Sequence, residues 1–446
     1  MKITHLASAS VLIEHKNTKI LTDPWLVGDE YYGSWSHYPK LNLDISKLDD
    51  IDYIYVSHIH GDHMSIDTIK QLNKDVPILI HNYDSKFVKS ILERLGRKVI
   101  ELNHGEEFHC GEGLNIRIYA ADDCDPEVCF KFFGCGKMET KFGSTGIDTM
   151  AVIENGDKAI LNVNDCPYVL SQKVLDRVLS DFSKIDLLLV GYAGAGSYPQ
   201  CWQNYTDESK LKIHGIKKKN HFLNMGLDFL KRIKPISYMP FAGTYTLKGK
   251  RANLERYRVV PELQDALKFY QDNYDGNGFL LNSEQSFDLE TKKTSAEYVP
   301  TKYEEKIKYV EEVLSKFKYD YEDDPSPSLN EIINLIPKCF ERYEDKRKEI
   351  KFKSDTSILL KLPEDNYCKV SCNGKGFKIL NQEEFDLSLL DPHVIYELDF
   401  KLLKRILSGP KYAHWNNAEV GSHIMFSRNP DVYERGLYYS MNYFHL

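Results

Sequence analysis

His58-Ile59-His60-Gly61-Asp62-His63 places three imidazoles and one carboxylate within six consecutive residues. Neutral imidazole and carboxylate are the ligands that suit zinc and other first-row metals. The preceding Ile51-Asp52-Tyr53-Ile54-Tyr55-Val56 is β-branched and aromatic, which predicts a buried strand. In the following Met64 to Leu72, apolar residues recur at helical spacing. The cluster thus falls on a strand-to-helix turn at the strand's carboxyl end, where α/β proteins place their sites. In extended chain His58 and His60 point to one side, because side chains alternate with period two. Gly61 lets the chain turn sharply, so that Asp62 and His63 swing toward the same centre. Two metals about 3.5–4 Å apart fit that spacing, with a bridging water between them. The competing reading, surface histidines on a loop, leaves the strand and helix flanks unexplained.

Working outward, the chain of 446 residues is too long for one ordinary core, so two domains are expected. Hydrophobic content of 42% and charged content of 28% describe a soluble globular chain rather than a disordered one. A net charge of -8 with pI near 6.0 argues against a nucleic-acid surface. No apolar run reaches the length of a membrane span, and Met1-Lys2-Ile3-Thr4-His5 leads straight into a strand-like pattern without a visible signal peptide. Nine cysteines without framework spacing suit a reducing compartment, so the expected location is cytoplasmic.

Short strands and helices alternate through about residue 260, including strands at 114–119, 150–154, 159–163 and 185–190. This interleaving predicts layered sheets covered by helices. The grammar then changes. A charged helical pattern over 301–318 precedes Tyr321-Glu322-Asp323-Asp324-Pro325-Ser326-Pro327-Ser328, whose composition predicts a linker or hinge. Helices from Leu329, strands at 356–362 and 377–380, and a helix over 399–407 stopped by Ser408-Gly409-Pro410 predict a small α+β unit.

Other residues offer chemistry. Asp165 follows the apolar strand ending at Val163 and is placed to bridge two metals; a turn-forming Asn-Asp pair explains it equally well. Asp23, after Ile20-Leu21-Thr22, is placed to accept from a ligand imidazole or simply to form an Asp-Pro turn. Asp122 and Asp123 offer further oxygen ligands or an acidic loop. Gly194, Gly196, Ser197 and Tyr198 lie in a glycine-bearing loop that permits close backbone approach to a substrate, although it is no nucleotide fingerprint. The basic clusters 217–219 and 248–251 are readable as anion contacts or as solvated surface. His5 and His15 are expected to be hydrogen-bonded rather than ligating. No Cys-x-His or Cys-x-x-His pair occurs, so this chain carries no Rieske cluster.

The spacing His58-x-His60-x-Asp62-His63, with Asp23-Pro24-Trp25 before it, resembles the metallo-β-lactamase superfamily. The resemblance implies an αββα sandwich with a two-metal centre. His58 and His60 then bind one metal, Asp62 and His63 the other, and Asp165 bridges them. A nearer likeness is to the CMP-N-acetylneuraminate hydroxylase family. It rests on residues 23–28, 53–60, 160–166, 193–199 and 238–243, and reappears weakly near 428–433. Two departures stand out. That family's Rieske cluster is missing, and the late-strand histidine of most related hydrolases is replaced by Pro240-Phe241-Ala242-Gly243. The histidine usual after the Tyr119 strand is also missing, with Asp122 or Asp123 as the stand-in. A set richer in oxygen shifts preference from zinc toward iron or manganese. Residues 346–446 resemble a sterol-carrier-protein module, implying an apolar groove, a dimer surface or a lid over the metal site.

The fold class expected is therefore α+β: the sandwich over 1–260, a helical extension and linker over 261–345, and a small α+β domain over 346–446. The expected cofactors are one or two divalent metal ions, zinc or iron/manganese. The favoured function is a metal-dependent hydrolase in which an activated water, held by Asp62 or Asp165, attacks a polar, phosphate- or sugar-containing small substrate. The alternative is an iron-dependent oxygenase drawing electrons from a separate protein. The partners expected are thus the small-molecule substrate, an electron-transfer protein under the second reading, and a second copy of the chain as a homodimer.

Overall fold

A computed structural model describes the chain except for residues 84–85, 121–147, 206 and 382–391. Two sheets lie face to face. The first orders its strands as Lys293–Thr294, Ser286–Asp288, Lys2–Ala7, Ser10–His15, Thr18–Thr22, Tyr53–Tyr55, Ile78–His81 and Val99–Leu102. The second runs Asn277–Gly278, Ser237–Phe241, Leu187–Gly191, Ala159–Asn162, Thr149–Glu154, Leu114–Ala120 and Glu107–Gly111.

Strand alternation explains the layering. Leu114, Ile116 and Ile118 face inward against Ile3, Val11, Ile13 and Leu79, whereas Tyr119 points to the outer layer. Met150 and Val152 likewise turn outward while Ala151 and Ile153 turn in. Each aliphatic side chain fully buried in this way contributes roughly 1.5–3 kcal/mol. Helices Gln172–Asp181, Glu208–Ile233 and Leu263–Asn273 cover one sheet, and Ile66–Gln71 with Phe87–Arg94 cover the other. The expected αββα sandwich is present. No helix of the described residues is long and apolar enough to cross a membrane.

The sandwich runs past residue 260. Ser286–Asp288 pairs antiparallel with the first strand, and Asn277–Gly278 pairs with Ser237–Phe241. Both are short strands, Asn277–Gly278 at a sheet edge and Ser286–Asp288 next to one, and so few residues leave no period in the sequence to read.

The C-terminal part is α+β as expected. Its five-stranded sheet has the order Phe377–Asn381, Asn366–Ser371, Ser357–Leu362, His393–Glu397, Met425–Asn429. Only the Ser357–Leu362 and His393–Glu397 pairing is parallel. The segment expected as a hinge is packed instead. Tyr321 is buried in the C-terminal core, and Arg405 grips Asp324 through two contacts of 2.6 and 2.8 Å. That core also takes in Trp202 and Tyr205 from the first part of the chain. Trp202 stacks on Phe426 with ring centroids 4.8 Å apart, and the Phe426 amide donates to the Cys201 carbonyl. The two parts are thus joined by shared core and by backbone hydrogen bonds.

Candidate metal centre

The strand Tyr53–Tyr55 ends where predicted, and helix Ile66–Gln71 begins after Ser65, whose hydroxyl caps it by accepting from the Thr68 amide. Between them the turn places His58 and His63 in the interior, at 0% and 1% exposure, with Asp62 at 8%. Gly61 serves here by close approach rather than by an unusual backbone angle. A Cβ added to it would lie 2.3 Å from Oε2 of Glu30, a half-buried residue whose carboxyl is pushed up to about 8 by desolvation and by its acidic neighbours.

Each imidazole is fixed from behind. Asp23, fully buried, accepts from the Ser57 amide at 2.7 Å, from the Ser57 hydroxyl at 2.8 Å and from His63 Nδ1 at 2.9 Å. The Ser57 hydroxyl proton is thereby committed to Asp23, so at the 2.9 Å contact His58 Nδ1 is the donor and Ser57 Oγ the acceptor. His60 Nε2 lies 3.2 Å from Oδ1 of Asn416, a carbonyl oxygen that only accepts. With a metal bound, the outer nitrogen of each ring would carry the proton and the inner one would present a lone pair.

Those lone pairs converge. His58 Nε2 and His60 Nδ1 stand 2.9 Å apart, and Asp148 Oδ1 lies 3.3 Å from His58 Nε2. Asp148 Oδ1 is buried and has no hydrogen-bond partner. On the other side, His63 Nε2 faces Asp165 Oδ1 at 3.5 Å and Asp62 Oδ2 at 3.6 Å. The Tyr31 hydroxyl holds the second oxygen of Asp62 at 2.5 Å. Among the described residues, two donor groups able to hold a metal result, His58/His60/Asp148 and His58/His63/Asp165. Lone pairs aimed at one another with no proton between them are repulsive, and a cation relieves that repulsion. The donor set therefore fits a bound metal, with three nitrogens and carboxylates from Asp62, Asp148 and Asp165.

Without a metal, protons on His63 and Asp148 take up part of the repulsion, and His58 is left without one. Burial lowers the His63 pKa, but the carboxylates of Asp165, Asp62 and Asp23 outweigh it and hold the ring well above its usual range. Burial acts to raise Asp165, yet His63 beside it holds this carboxyl well below the usual range. Asp148 is pushed up to about 8 by burial and by the nearby Asp165. Burial, then the charges of His63 and His60, drive His58 well below its usual value. A proton is thus a poor occupant of the space before His58.

Of the residues marked in the sequence, His58, His60, Asp62, His63, Asp165 and Asp23 are brought together here. Asp122 and Asp123 lie outside the described residues. Asp148 was not legible as a ligand: only the pairing of Thr149 with Ala120 brings it to the sheet end where the strand Leu114–Ala120 finishes. Tyr31 and Asn416 carried no local pattern at all. The glycine loop is otherwise engaged. A Cβ on Gly194 would overlap the Phe222 ring at 1.9 Å, and the Tyr198 hydroxyl meets His214 Nδ1 at 2.6 Å. Lys218 donates to the Ala195 and Tyr198 carbonyls, and Gln200 donates to the Gly196 carbonyl. Ser197 is buried. In the second basic cluster Lys248 is buried against Asp29, and Lys250 pairs with Asp399 at 2.6 Å. His5 is buried with Nε2 3.3 Å from the Ser8 carbonyl, as expected.

Residues 2–194 match the β-lactamase superfamily domain. A protein of Mycolicibacterium smegmatis named "Putative Rieske 2Fe-2S iron-sulfur protein" is 28% identical over 250 residues, which are 54% of this chain and 43% of that one. Cytidine monophosphate-N-acetylneuraminic acid hydroxylase of Danio rerio is 26% identical over 256 residues, 55% of this chain and 38% of the hydroxylase. This chain therefore aligns with less than half the length of these relatives. Among solved structures, CmlA, a diiron beta-hydroxylase from Streptomyces venezuelae, superposes with a TM-score of 0.42 at 17% identity, over 64% of this chain and 53% of that one. The isothiocyanate hydrolase from Delia radicum gut bacteria gives a TM-score of 0.44 at 14% identity, over 65% and 99%. The matched stretch, residues 2–194, is thus similar to the β-lactamase superfamily domain.

Proposed function

We propose that this chain is a dinuclear iron enzyme that oxidises a polar small molecule, with electrons supplied by a separate protein. The observation that carries the reading is the convergence of His58 Nε2, His60 Nδ1 and the partnerless Asp148 Oδ1. Two imidazoles and one carboxylate on one face form the donor set associated with iron oxygenases, whereas a third imidazole in place of Asp148 favours zinc. His63, Asp62 and Asp165 would form the second half, and His58 is common to the two donor groups. Iron held there supplies the activation of oxygen. The residues of the chain do the rest. Asp23 and Ser57 keep the rings of His63 and His58 oriented, Tyr31 restrains Asp62, and Asp165, 38% exposed, faces the open side where substrate enters. The hydroxylase activity named for the Danio rerio relative supports an oxidative reaction.

Hydrolysis is the second reading, and the same partly exposed Asp165 supports it, being placed to hold and deprotonate a water. Metal analysis of protein purified without chelator separates the two. Two irons per chain, with oxygen consumed only when a reductase is supplied, are expected. Two zincs, with cleavage of generic phosphodiesters or esters, establish the hydrolase instead. Less than about half a metal per chain, unchanged by His60→Ala, refutes both.

A further inference from the structure

The three ligand rings differ in where their outer partners come from. His58 and His63 are fixed by Ser57 and Asp23, neighbours in the same sheet. His60 is fixed by Asn416, which lies 356 residues further along the chain. We infer that the C-terminal unit is a working part of the metal centre, with Asn416 as the positioning residue that makes His60 a ligand through Nδ1. The inference rests on the metal-centre reading above.

Three observations bear on it. Asn416 is rigidly presented. Its helix, Trp415–Val420, is anchored by the buried Trp415, whose Nε1 donates to the Phe444 carbonyl, and His414 caps the helix by accepting from the Asn416 amide. The helix is clamped to the loop that carries Tyr31. The His414 amide donates to the Tyr32 hydroxyl at 2.7 Å, and a Cβ on Gly421 would lie 2.8 Å from both Ser34 Oγ and Tyr31 Cβ. Finally, His423 reaches the same loop. Its Nε2 donates to the Tyr31 carbonyl at 2.8 Å, and its Nδ1 accepts from the Tyr321 hydroxyl at 3.0 Å. Tyr31 in turn holds Asp62. The C-terminal unit thus touches both halves of the donor set, His60 directly and Asp62 through Tyr31.

The geometry makes one chemical demand on position 416: an acceptor oxygen. Were His60 to move its proton to Nδ1, an N–H would face His58, and were the ring to turn over, Cδ2 would; in either case no nitrogen lone pair is left there to bind a metal. The test uses the full-length protein, with metal content after dialysis against a graded chelator as the readout, alongside thermal unfolding of the metal-free forms. Asn416→Ala is expected to weaken metal retention about 10–100-fold. Asn416→Asp, which keeps the acceptor, is expected to stay within about threefold of the parent by the same reasoning. The metal-free unfolding temperatures of both should stay close to the parent's. If the parent holds metal and Asn416→Ala holds it equally well, the inference is overturned while the metal-centre reading stands. Equal losses in the Ala and Asp variants also overturn it, since a merely structural role does not distinguish the two. If the parent itself holds none, the metal-centre reading fails first.

Discussion

Two turns leave the same end of the sandwich, and both carry residues that a sequence marks as ligand-binding. The turn His58–His63 follows a strand of the first sheet, and the loop Gly194–Tyr198 follows Leu187–Gly191 of the second. In the first, polar atoms are fixed from behind and face other ligand-type atoms in front. In the second, carbonyls are occupied by Lys218 and Gln200, and the missing Cβ of Gly194 makes room for Phe222. Glycine tells of a close approach without saying what approaches. A cluster of imidazoles held by carboxylate and hydroxyl partners says more, because buried lone pairs need a cation or a proton.

The contrast can be broken most sharply at Asp148. Asp148→Asn is expected to reduce bound metal to below about a tenth of the parent's, as loss of a ligand does. It should also raise the unfolding temperature of the metal-free protein at neutral pH. The reason lies in the sign of linkage. A carboxyl raised to about 8 in the fold, from 3.8, gives its charged form no home there, so folding is penalised increasingly as pH rises through that window. A variant that loses metal and also unfolds earlier would show that Asp148 is structural.

Gly194→Ala sharpens the other side. A methyl placed 1.9 Å from the Phe222 ring forces the ring to move, at a cost of about 3 kcal/mol, with metal per chain unchanged. Loss of metal in a variant that remains folded would return this loop to the site.

The smallest effect concerns the C-terminal unit. Burial lowers His423 to about 4, so the native ring stays neutral where the unfolded one takes up a proton. Its contribution is complete above pH 6.5 and is lost as pH falls toward 4. Denaturant unfolding of the parent and of His423→Gln, at pH 8 and at pH 5, should show the variant losing roughly 2 kcal/mol less between the two. Identical losses would place His423 outside the acid-sensitive set.

How much of this was legible in the sequence follows from distance along the chain. Ser57, His58, His60 and His63 lie within seven residues, so strand period and turn chemistry brought them together on paper. Asp165 and Asp23 were found because each ends an apolar strand, and strand ends share an edge. Asp148 opens a strand instead, and only the antiparallel pairing of Thr149 with Ala120 brings it to that edge. Tyr31 and Asn416 belong to no period, and only packing delivers them. The same holds for the fold. The long alternating strands were readable, whereas Ser286–Asp288 is too short to leave a pattern, so the sandwich was cut at 260 when it continues further. The acidic stretch 321–328 looked like a hinge because composition cannot show that Arg405 lies waiting across 81 residues.

The contact between His60 and Asn416 also sets an order of events in time. Ribosomes add about 5–20 residues per second. The 356 residues that separate the pair therefore keep the ring of His60 without its partner for something on the order of 20–70 seconds of synthesis. The histidine-rich turn is made early and waits, so a nascent chain presents its ligands to the cell well before it can hold a metal in their final arrangement.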